Sequence, residues 1–331
     1  MKFSELKNVT KKSKDILELT GDVYIPDDFE SIRRFDYKLD GNGYSIHNIP
    51  SNFIIDLNGM LCNFTVENTK PNSFVSKNYG KIKNISFANI NIDFDQYTLV
   101  LENYGVLENC TVSGRITSEK CVYGLVEQNV GKIKHCSIDL NIITDQVGSF
   151  LTCINSGEIK NCTASGEIIA SDEVGGICYR NQNTLLNCKV TGTLIGKKTG
   201  GLCIYTEFDS KIEECSVQGK LIGKSTGGLI ESNIIMAKGG SLQLISSSFT
   251  GLLIGSKTGG FISQIDSLPN PGTIQDCTIA GIIDSTTNSK ICVFANDDSD
   301  SSNATYTIDN CSADVQLKGK LDSKNMQKHT Y

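Results

Sequence analysis

The chain has 331 residues, a formal net charge of −6 and a pI near 5.2. An acidic chain is a poor partner for nucleic acid, because neutralising phosphates requires an excess of lysine and arginine. No stretch of about 18 residues is uniformly apolar, so a membrane-spanning helix is not expected. Glycine is abundant at 31 residues and tryptophan is absent, a composition typical of strands joined by tight turns.

The first 34 residues are predicted to form an N-terminal cap. Residues 2–20 are polar with spaced apolar positions, and Pro26 precedes acidic residues where a helical turn could begin. A segment of this kind can cover the exposed core of a first repeat. The start also lacks the apolar stretch and cleavage site of a secretory signal.

A repeat of apolar and cysteine positions dominates residues 35–315. Each unit resembles Gly-x-Ile-x-Asn-Cys, which places one column of residues through the chain: Cys110, Cys136, Cys162, Cys188, Cys215, Ser247, Cys277 and Cys311. Successive members are separated by 26, 26, 26, 27, 32, 30 and 34 residues. A constant unit that tolerates later insertions is the pattern of a solenoid.

Two further strand patterns accompany the cysteine column. Apolar pairs such as Leu125-Val126 and Leu229-Ile230 recur in register, several of them after Gly-Gly, and a third strand follows the cysteine. Three short strands per unit, stacked at ~4.8 Å, give parallel sheets around a closed core. The fold class predicted is all-β: a single right-handed parallel β-helix of about ten coils with small terminal caps. Its predicted parts are residues 1–34 (cap), 35–315 (β-helix) and 316–331 (C-terminal cap or tail).

Asparagine and cysteine are interpreted as structural residues. Asparagines recur at one corner, where their side chains can bond to the backbone and to each other: Asn78, Asn103, Asn129, Asn155 and Asn181. The 13 cysteines follow the repeat, without a CxxC pair or a Cys/His cluster. They are therefore predicted to be free thiols in the core, which favours a reducing compartment, and neither a metal nor a cofactor is expected.

Residues 123–136, YGLVEQNVGKIKHC, resemble the GLUG repeat, whose pattern is roughly G-G-L-V-G-x-N-x-G-x-I-x-N-C. Residues 35–46, FDYKLDGNGYSI, are similar to the first coil of such β-helices, and the resemblance extends over residues 35–315. The resemblance implies a bacterial adhesin-like protein at the cell surface or secreted. The missing secretion signal instead suggests a cytoplasmic location if the chain is full length.

Three late insertions, at residues 233–240, 267–272 and 296–302, are expected to project from one side of adjacent coils. Loops on a rigid scaffold commonly carry function. The candidate binding surface is therefore assigned to this side, with one tyrosine and seven acids: Tyr205, Glu207, Asp209, Glu231, Asp266, Asp297, Asp298 and Asp300. A solvated acidic loop is the structural alternative.

Tyr79 and Tyr104 are a secondary candidate. Both occupy an Asn-Tyr-Gly corner of neighbouring coils, so their rings should stack outward and could contact a sugar or a protein. Stacking that only stabilises the fold is the alternative. The three histidines form no recognisable Ser/His/Asp arrangement, and no catalytic residue is assigned.

Three classes of function follow from these patterns. The first is a non-enzymatic binding protein, adhesin-like or a scaffold, whose partner is a protein or a glycan. The second is a carbohydrate-active enzyme, a polysaccharide lyase or glycosidase, which would need converging carboxylates. The third is a cytosolic β-helix that binds a protein or assembles into a homo-oligomer.

Overall fold

The computed structural model describes residues 3–67, 73–93, 98–233, 241–265, 272–297 and 306–318. Strands in these ranges wind into a parallel β-solenoid of about nine turns. The prediction of a single parallel β-helix is confirmed, with a turn number close to the predicted ten or so. The one helical element among the described residues is the 3-10 turn Phe3–Glu5, so no described helix is long and apolar enough to cross a membrane.

A turn from the middle of the solenoid contains four strands, which we name faces A to D in chain order. Face A holds short strands before the cysteine: Ile16–Leu19, Lys38–Asp40, Val106–Glu108, Lys132–Lys134, Glu158–Lys160, Thr184–Leu186, Ser210–Glu213, Leu242–Ile245, Gly272–Gln275 and Tyr306–Asp309. Face B holds strands after it: Val23–Tyr24, Ser45–His47, Thr111–Ser118, Ser137–Thr144, Thr163–Ala170, Lys189–Ile195, Ser216–Ile222, Ser248–Gly259, Thr278–Cys292 and Ser312–Lys318. Met60–Glu67 and Lys81–Asp93 run through both faces.

Faces C and D complete the turn. Face C comprises Val122–Tyr123, Val147–Ser149, Glu173–Gly175, Lys198–Gly200 and Ser225–Gly227, after which the long face B strands pair in its place. Face D comprises Ile32–Phe35, Ile54–Leu57, Val75–Asn78, Val100–Asn103, Val126–Asn129, Thr152–Asn155, Cys178–Asn181, Cys203–Thr206, Ile230–Asn233, Ile262–Ile265 and Ala295–Asp297. Faces A to C form one hydrogen-bonded sheet, and face D forms a second.

The sequence predicted three strands per coil, and face C is the strand that it missed. Face C strands have only two or three residues, too few to display an alternating pattern. Three of the five end at the first glycine of a Gly-Gly pair, where the chain turns into face D. A Cβ on Gly175 would lie 2.1 Å from the Cys178 carbonyl oxygen, so this turn excludes any larger residue.

The corner between faces A and B has a left-handed backbone at one residue per turn. Ten residues at this corner have φ between 47° and 62°: Asn63, Asn84, Asn109, His135, Asn161, Asn187, Glu214, Ser246, Asp276 and Asn310. Asparagine tolerates this conformation well, which explains its frequency before the cysteine. His135 is thus a corner residue, and its ring lies 3.5 Å from the Asn161 amide nitrogen.

The core is a stack of identical layers. The central residue of each face A strand, from Leu39 to Ile274, is a leucine or an isoleucine that is at most 1% exposed. The cysteine column lies beside this ladder, and Cys110 through Cys277 are buried and unpaired by disulfides. Ser247 takes the same buried place and donates a 2.9 Å hydrogen bond to the Ile245 carbonyl oxygen. The thiols of this column up to Cys277 therefore fill core space, as predicted, whereas Cys121, Cys153 and Cys311 are only partly buried.

The first residues cover the N-terminal end of this core. Phe3, Leu6 and Val9 are buried, and the strand Val9–Lys11 pairs antiparallel with Ile16–Leu19. This antiparallel pairing occupies backbone hydrogen-bonding groups at the edge of Ile16–Leu19 that would otherwise be unpaired.

Candidate functional site

The corner at the end of face D is held by a continuous ladder of asparagine amides. Each Nδ2 donates to the Oδ1 of the next asparagine, at 2.7 Å from Asn78 to Asn103 and 2.8 Å in the three steps that follow. All five side chains from Asn78 to Asn181 are fully buried. The ladder is structural, as the sequence predicted, and it holds in place the residues that follow it on the outer side of this corner.

Tyr79 and Tyr104 lie immediately after this ladder and are stacked on each other. Their ring centroids are 5.1 Å apart with an interplanar angle of 8°, and the residues are 49% and 44% exposed. The Tyr104 hydroxyl donates a 2.5 Å hydrogen bond to Glu102, which raises the pKa of Tyr104. The predicted stacking is confirmed, and it leaves ring edges and the phenol ends facing solvent.

A trough of about 480 Å³ begins at Tyr104 and crosses the next turns of the solenoid. One wall has Tyr104, Val130 and Ser156, and the opposite wall has Val106, Lys132, Glu158 and Thr184. Between them lie Gly105, Gly131 and Gly157. A Cβ on Gly131 would lie 2.2 Å from the Gly105 carbonyl oxygen, so close stacking of the turns keeps this column free of side chains.

The trough combines apolar surface with both signs of charge. Val130 is 51% exposed, and the neighbouring Lys132 is exposed and makes no ion pair with any described residue. Glu158 lies on the same wall and forms an ion pair with Lys134 at 3.3 Å. Hydroxyl, amide, ammonium and carboxylate groups are thus available beside an aromatic edge. Tyr104 was predicted from the sequence as a candidate, but the other trough residues were not, although Asn-Tyr-Gly, Asn-Val-Gly and Asn-Ser-Gly recur at equivalent positions.

Two of the three predicted acids whose side chains are described are buried, and the first of them is Glu207. This residue is 2% exposed, and Arg180 Nη1 lies 2.6 Å from its Oε1 while Gln182 Nε2 lies 2.8 Å from its Oε2. Both carboxylate oxygens are therefore engaged by residues about one turn earlier in the chain. The pair ties adjacent coils together.

Tyr205 lies at the centre of a second network between faces C and D. Its hydroxyl donates to Glu173 at 2.7 Å and accepts from Lys198 at 2.8 Å, while the Arg180 guanidinium lies 5.4 Å from its ring centroid. Burial opposes ionisation of Glu173, but hydrogen bonds from tyrosine and the Lys198 ammonium hold its pKa below its usual value. Tyr205 is only 8% exposed, so it contributes little surface.

Glu231 is the most deeply buried of the predicted acids whose side chains the structure describes, with no exposed surface. Ser225 Oγ donates a 2.6 Å hydrogen bond to its Oε1, while its Oε2 has no partner among the described residues. Burial raises the pKa of Glu231, and the hydrogen bond and nearby Lys198 offset this only in part. Glu231 and Glu173, which both lie near Lys198, therefore have their pKa values shifted in opposite directions.

The remaining predicted residues are placed differently. Asp209 is exposed and accepts a 3.0 Å hydrogen bond from the backbone N–H of Ser241 in the next turn. Asp297 ends the last described face D strand, while Asp266, Asp298 and Asp300 lie outside the described residues. The structure thus brings Tyr205, Glu207 and Glu231 close to one set of basic side chains, mostly below the surface. Within the described ranges, no three Cys, His, Asp or Glu residues are arranged to hold a metal ion.

No family model, curated protein or solved structure matches the chain significantly. The fold is therefore established by the geometry above, and the function has to be argued from the sites themselves.

Proposed function

We infer that the protein is a non-enzymatic glycan-binding β-helix, and that the trough beginning at Tyr104 is its binding site. The observation that carries this proposal is the trough itself, in which an exposed aromatic edge and Val130 adjoin a lysine and a carboxylate over a column of glycines. Sugars are amphipathic and combine apolar C–H faces with hydroxyls that both donate and accept hydrogen bonds. A shallow, rigid surface of mixed polarity suits such a ligand.

The resemblance of residues 123–136 to GLUG repeats supports the same proposal, because that family is adhesin-like. A carbohydrate partner would also use the regular stacking of the turns. Equivalent positions recur every ~4.8 Å along the solenoid, so successive units of a linear polymer could make successive contacts.

The test is binding of the purified protein to a broad glycan array, followed by calorimetry on the glycans that bind. Tyr104→Ala and Lys132→Ala should each weaken binding by about tenfold or more, since each removes one wall of the trough. Tyr44→Ala is the matched control, because it removes a tyrosine that is 39% exposed but lies outside the trough. Absence of any specific glycan, or equal losses in the control, would refute the proposal.

A carbohydrate-active enzyme is the second candidate, and it would use Glu173 and Glu231, which both lie near Lys198 and have pKa values shifted in opposite directions. Because Glu231 is fully buried, this function requires the surface over it to open to the glycan. Two carboxyl groups whose surroundings separate their pKa values are suited to acid and base roles. Release of new reducing or unsaturated ends from a bound glycan, lost in both Glu173→Gln and Glu231→Gln, would support this function. Binding without any product would leave the first proposal in place.

A further inference from the structure

Face B carries a stripe of isoleucines that point away from the core. Five consecutive strands contribute one in-register residue each: Ile143, Ile169, Ile195, Ile222 and Ile254. The residue before each of them is a core leucine or isoleucine, at most 1% exposed, so strand alternation turns the stripe outward. Ile143 is 38% exposed, and the other four are half-buried.

The stripe is bounded at both ends by polar residues, since Thr117 precedes Ile143 in register and Asp284 follows Ile254. Four inter-strand spacings give it a length of roughly 19 Å. Single exposed apolar residues are ordinary, but five in one row form a contiguous patch of the kind that marks a contact with another macromolecule.

A charged column flanks the stripe on each side. The column two residues before it comprises Asn141, Glu167, Thr193, Lys220 and Leu252. The column after it comprises Gln146, Asp172, Lys197, Lys224 and Ser256, connected by hydrogen bonds between successive turns. In both columns an acid lies one strand before the middle, and a lysine lies one strand after it.

This arrangement is self-complementary under one two-fold rotation. When two copies pack face to face and antiparallel about Ile195, the two-fold axis places Glu167 opposite Lys220 of the other copy. On the second flank the same axis places Asp172 opposite Lys224. Lys197 lies on the axis and faces its own copy, but each Lys197 is paired with Asp172 of its own chain. A parallel two-fold would instead oppose Glu167 with Asp172, and Lys220 with Lys224, so that like charges meet.

We propose that the isoleucine stripe is the interface of an antiparallel homodimer centred on Ile195. Glu167 and Lys220 are exposed and make no ion pair with any described residue of their own chain, so both are available to a second copy. Asp172 is held at 2.6 Å from Lys197 within the chain, and Lys224 of the other copy adds a second cation to it.

The expected dimer is reversible. With flanking columns about 7 Å to either side of the stripe, the footprint is a few hundred Å² per copy. That is below the roughly 800 Å² per partner of a standard interface, so a dissociation constant between about 1 µM and 1 mM is expected. Sedimentation equilibrium of the full chain across this range measures it directly, and a protein that stays monomeric to 1 mM overturns the proposal.

Ile195→Lys tests the location of the interface. It sets two lysines against each other at the two-fold axis and should weaken dimerisation at least tenfold, without loss of fold because the side chain points outward. Val130→Lys is the matched control, as it changes an exposed apolar residue on another side of the solenoid. Association that is insensitive to Ile195→Lys, or weakened equally by the control, contradicts the assignment.

Charge reversal tests the antiparallel arrangement. Glu167→Lys and Lys220→Glu should each weaken self-association by about tenfold, because each creates two like-charged pairs across the axis. An equimolar mixture of these two variants should form a heterodimer, since both cross-axis pairs between residues 167 and 220 are then attractive. The double variant should return to wild-type affinity. Weakening without recovery in either experiment refutes the two-fold geometry.

Discussion

The asparagine ladder offers a quantitative test of how the solenoid is stabilised. Asn129→Ala would break two hydrogen bonds, leaving the Asn103 amide nitrogen and the Asn155 carbonyl oxygen in a fully buried corner. Each unsatisfied buried group costs about 1–3 kcal/mol. The Asn103 nitrogen retains a long contact of 3.5 Å to the Lys132 carbonyl oxygen, which limits one of these losses. We therefore expect Asn129→Ala to lower the free energy of unfolding by about 2–4 kcal/mol.

Asn78→Ala is the matched comparison, because Asn78 begins the described ladder. It loses one hydrogen bond to Asn103, and its own Oδ1 has no partner among the described residues. The expected loss is about 1 kcal/mol. Asn141→Ala, on the exposed surface of face B, should change stability by less than about 0.5 kcal/mol.

Urea unfolding followed by circular dichroism gives the three differences in free energy. Because solenoid stability is close to a sum over neighbouring repeats, unfolding need not be two-state. Hydrogen exchange measured by mass spectrometry should therefore accompany it, with the largest loss of protection in the turns containing Asn103 and Asn155. Equal losses for Asn129→Ala and Asn78→Ala would refute the view that paired amides, rather than burial alone, stabilise this corner.

Three further outcomes are expected. Burial raises the pKa of Glu231, so the wild-type protein loses stability as the pH rises from about 4.5 through that raised pKa and the carboxyl group ionises. Glu231→Gln cannot ionise, so its stability relative to wild type, measured by urea unfolding, should improve between pH 4 and pH 7. A difference that does not change with pH contradicts this. Cys136→Ser should lower the free energy of unfolding by only about 1–2 kcal/mol in the same assay, since Ser247 shows that the column accommodates a hydroxyl. Rapid labelling of the Cys136 thiol in the native protein would contradict its position in the core. Gly131→Ala should lower the free energy of unfolding by more than about 2 kcal/mol, because the new Cβ would meet the Gly105 carbonyl oxygen rather than a flexible side chain. A stability close to that of the wild type would disprove this close approach of the two turns.

Glu207 and Glu231 show that the position of a residue in the repeat can be predicted from the sequence while its burial cannot. Glu207 and Glu231 were predicted to belong to a binding surface because they lie on the side from which the late insertions were expected to project. Their partners, Arg180 and Ser225, come from neighbouring turns or from face C, which the sequence pattern did not reveal. Burial of a carboxylate depends on those partners, so it could not be inferred from the position of the glutamates alone.

The trough and the isoleucine stripe both depend on how successive turns are aligned with one another. Tyr104 was identifiable because Asn-Tyr-Gly recurs, but the trough depends on how turns of equal length superimpose Val130 and Lys132 beside it. Likewise, doublets such as Leu194-Ile195 show that one residue of each pair must face outward. Which residue does so is decided by the register of the whole sheet.

The sequence by itself determined the repeat, and through it the parallel β-helix, the cysteine column, the asparagine ladder and the left-handed corners. These features depend on short patterns that recur with one period. Strand side chains alternate between the inside and the outside, and each corner needs a residue that tolerates its backbone conformation. Tertiary structure decided the four-strand turn, the burial of Glu207 and Glu231, and the two outer surfaces. Most of those features arise from contacts between residues about 25 positions or more apart, where small changes in turn length set which side chains meet.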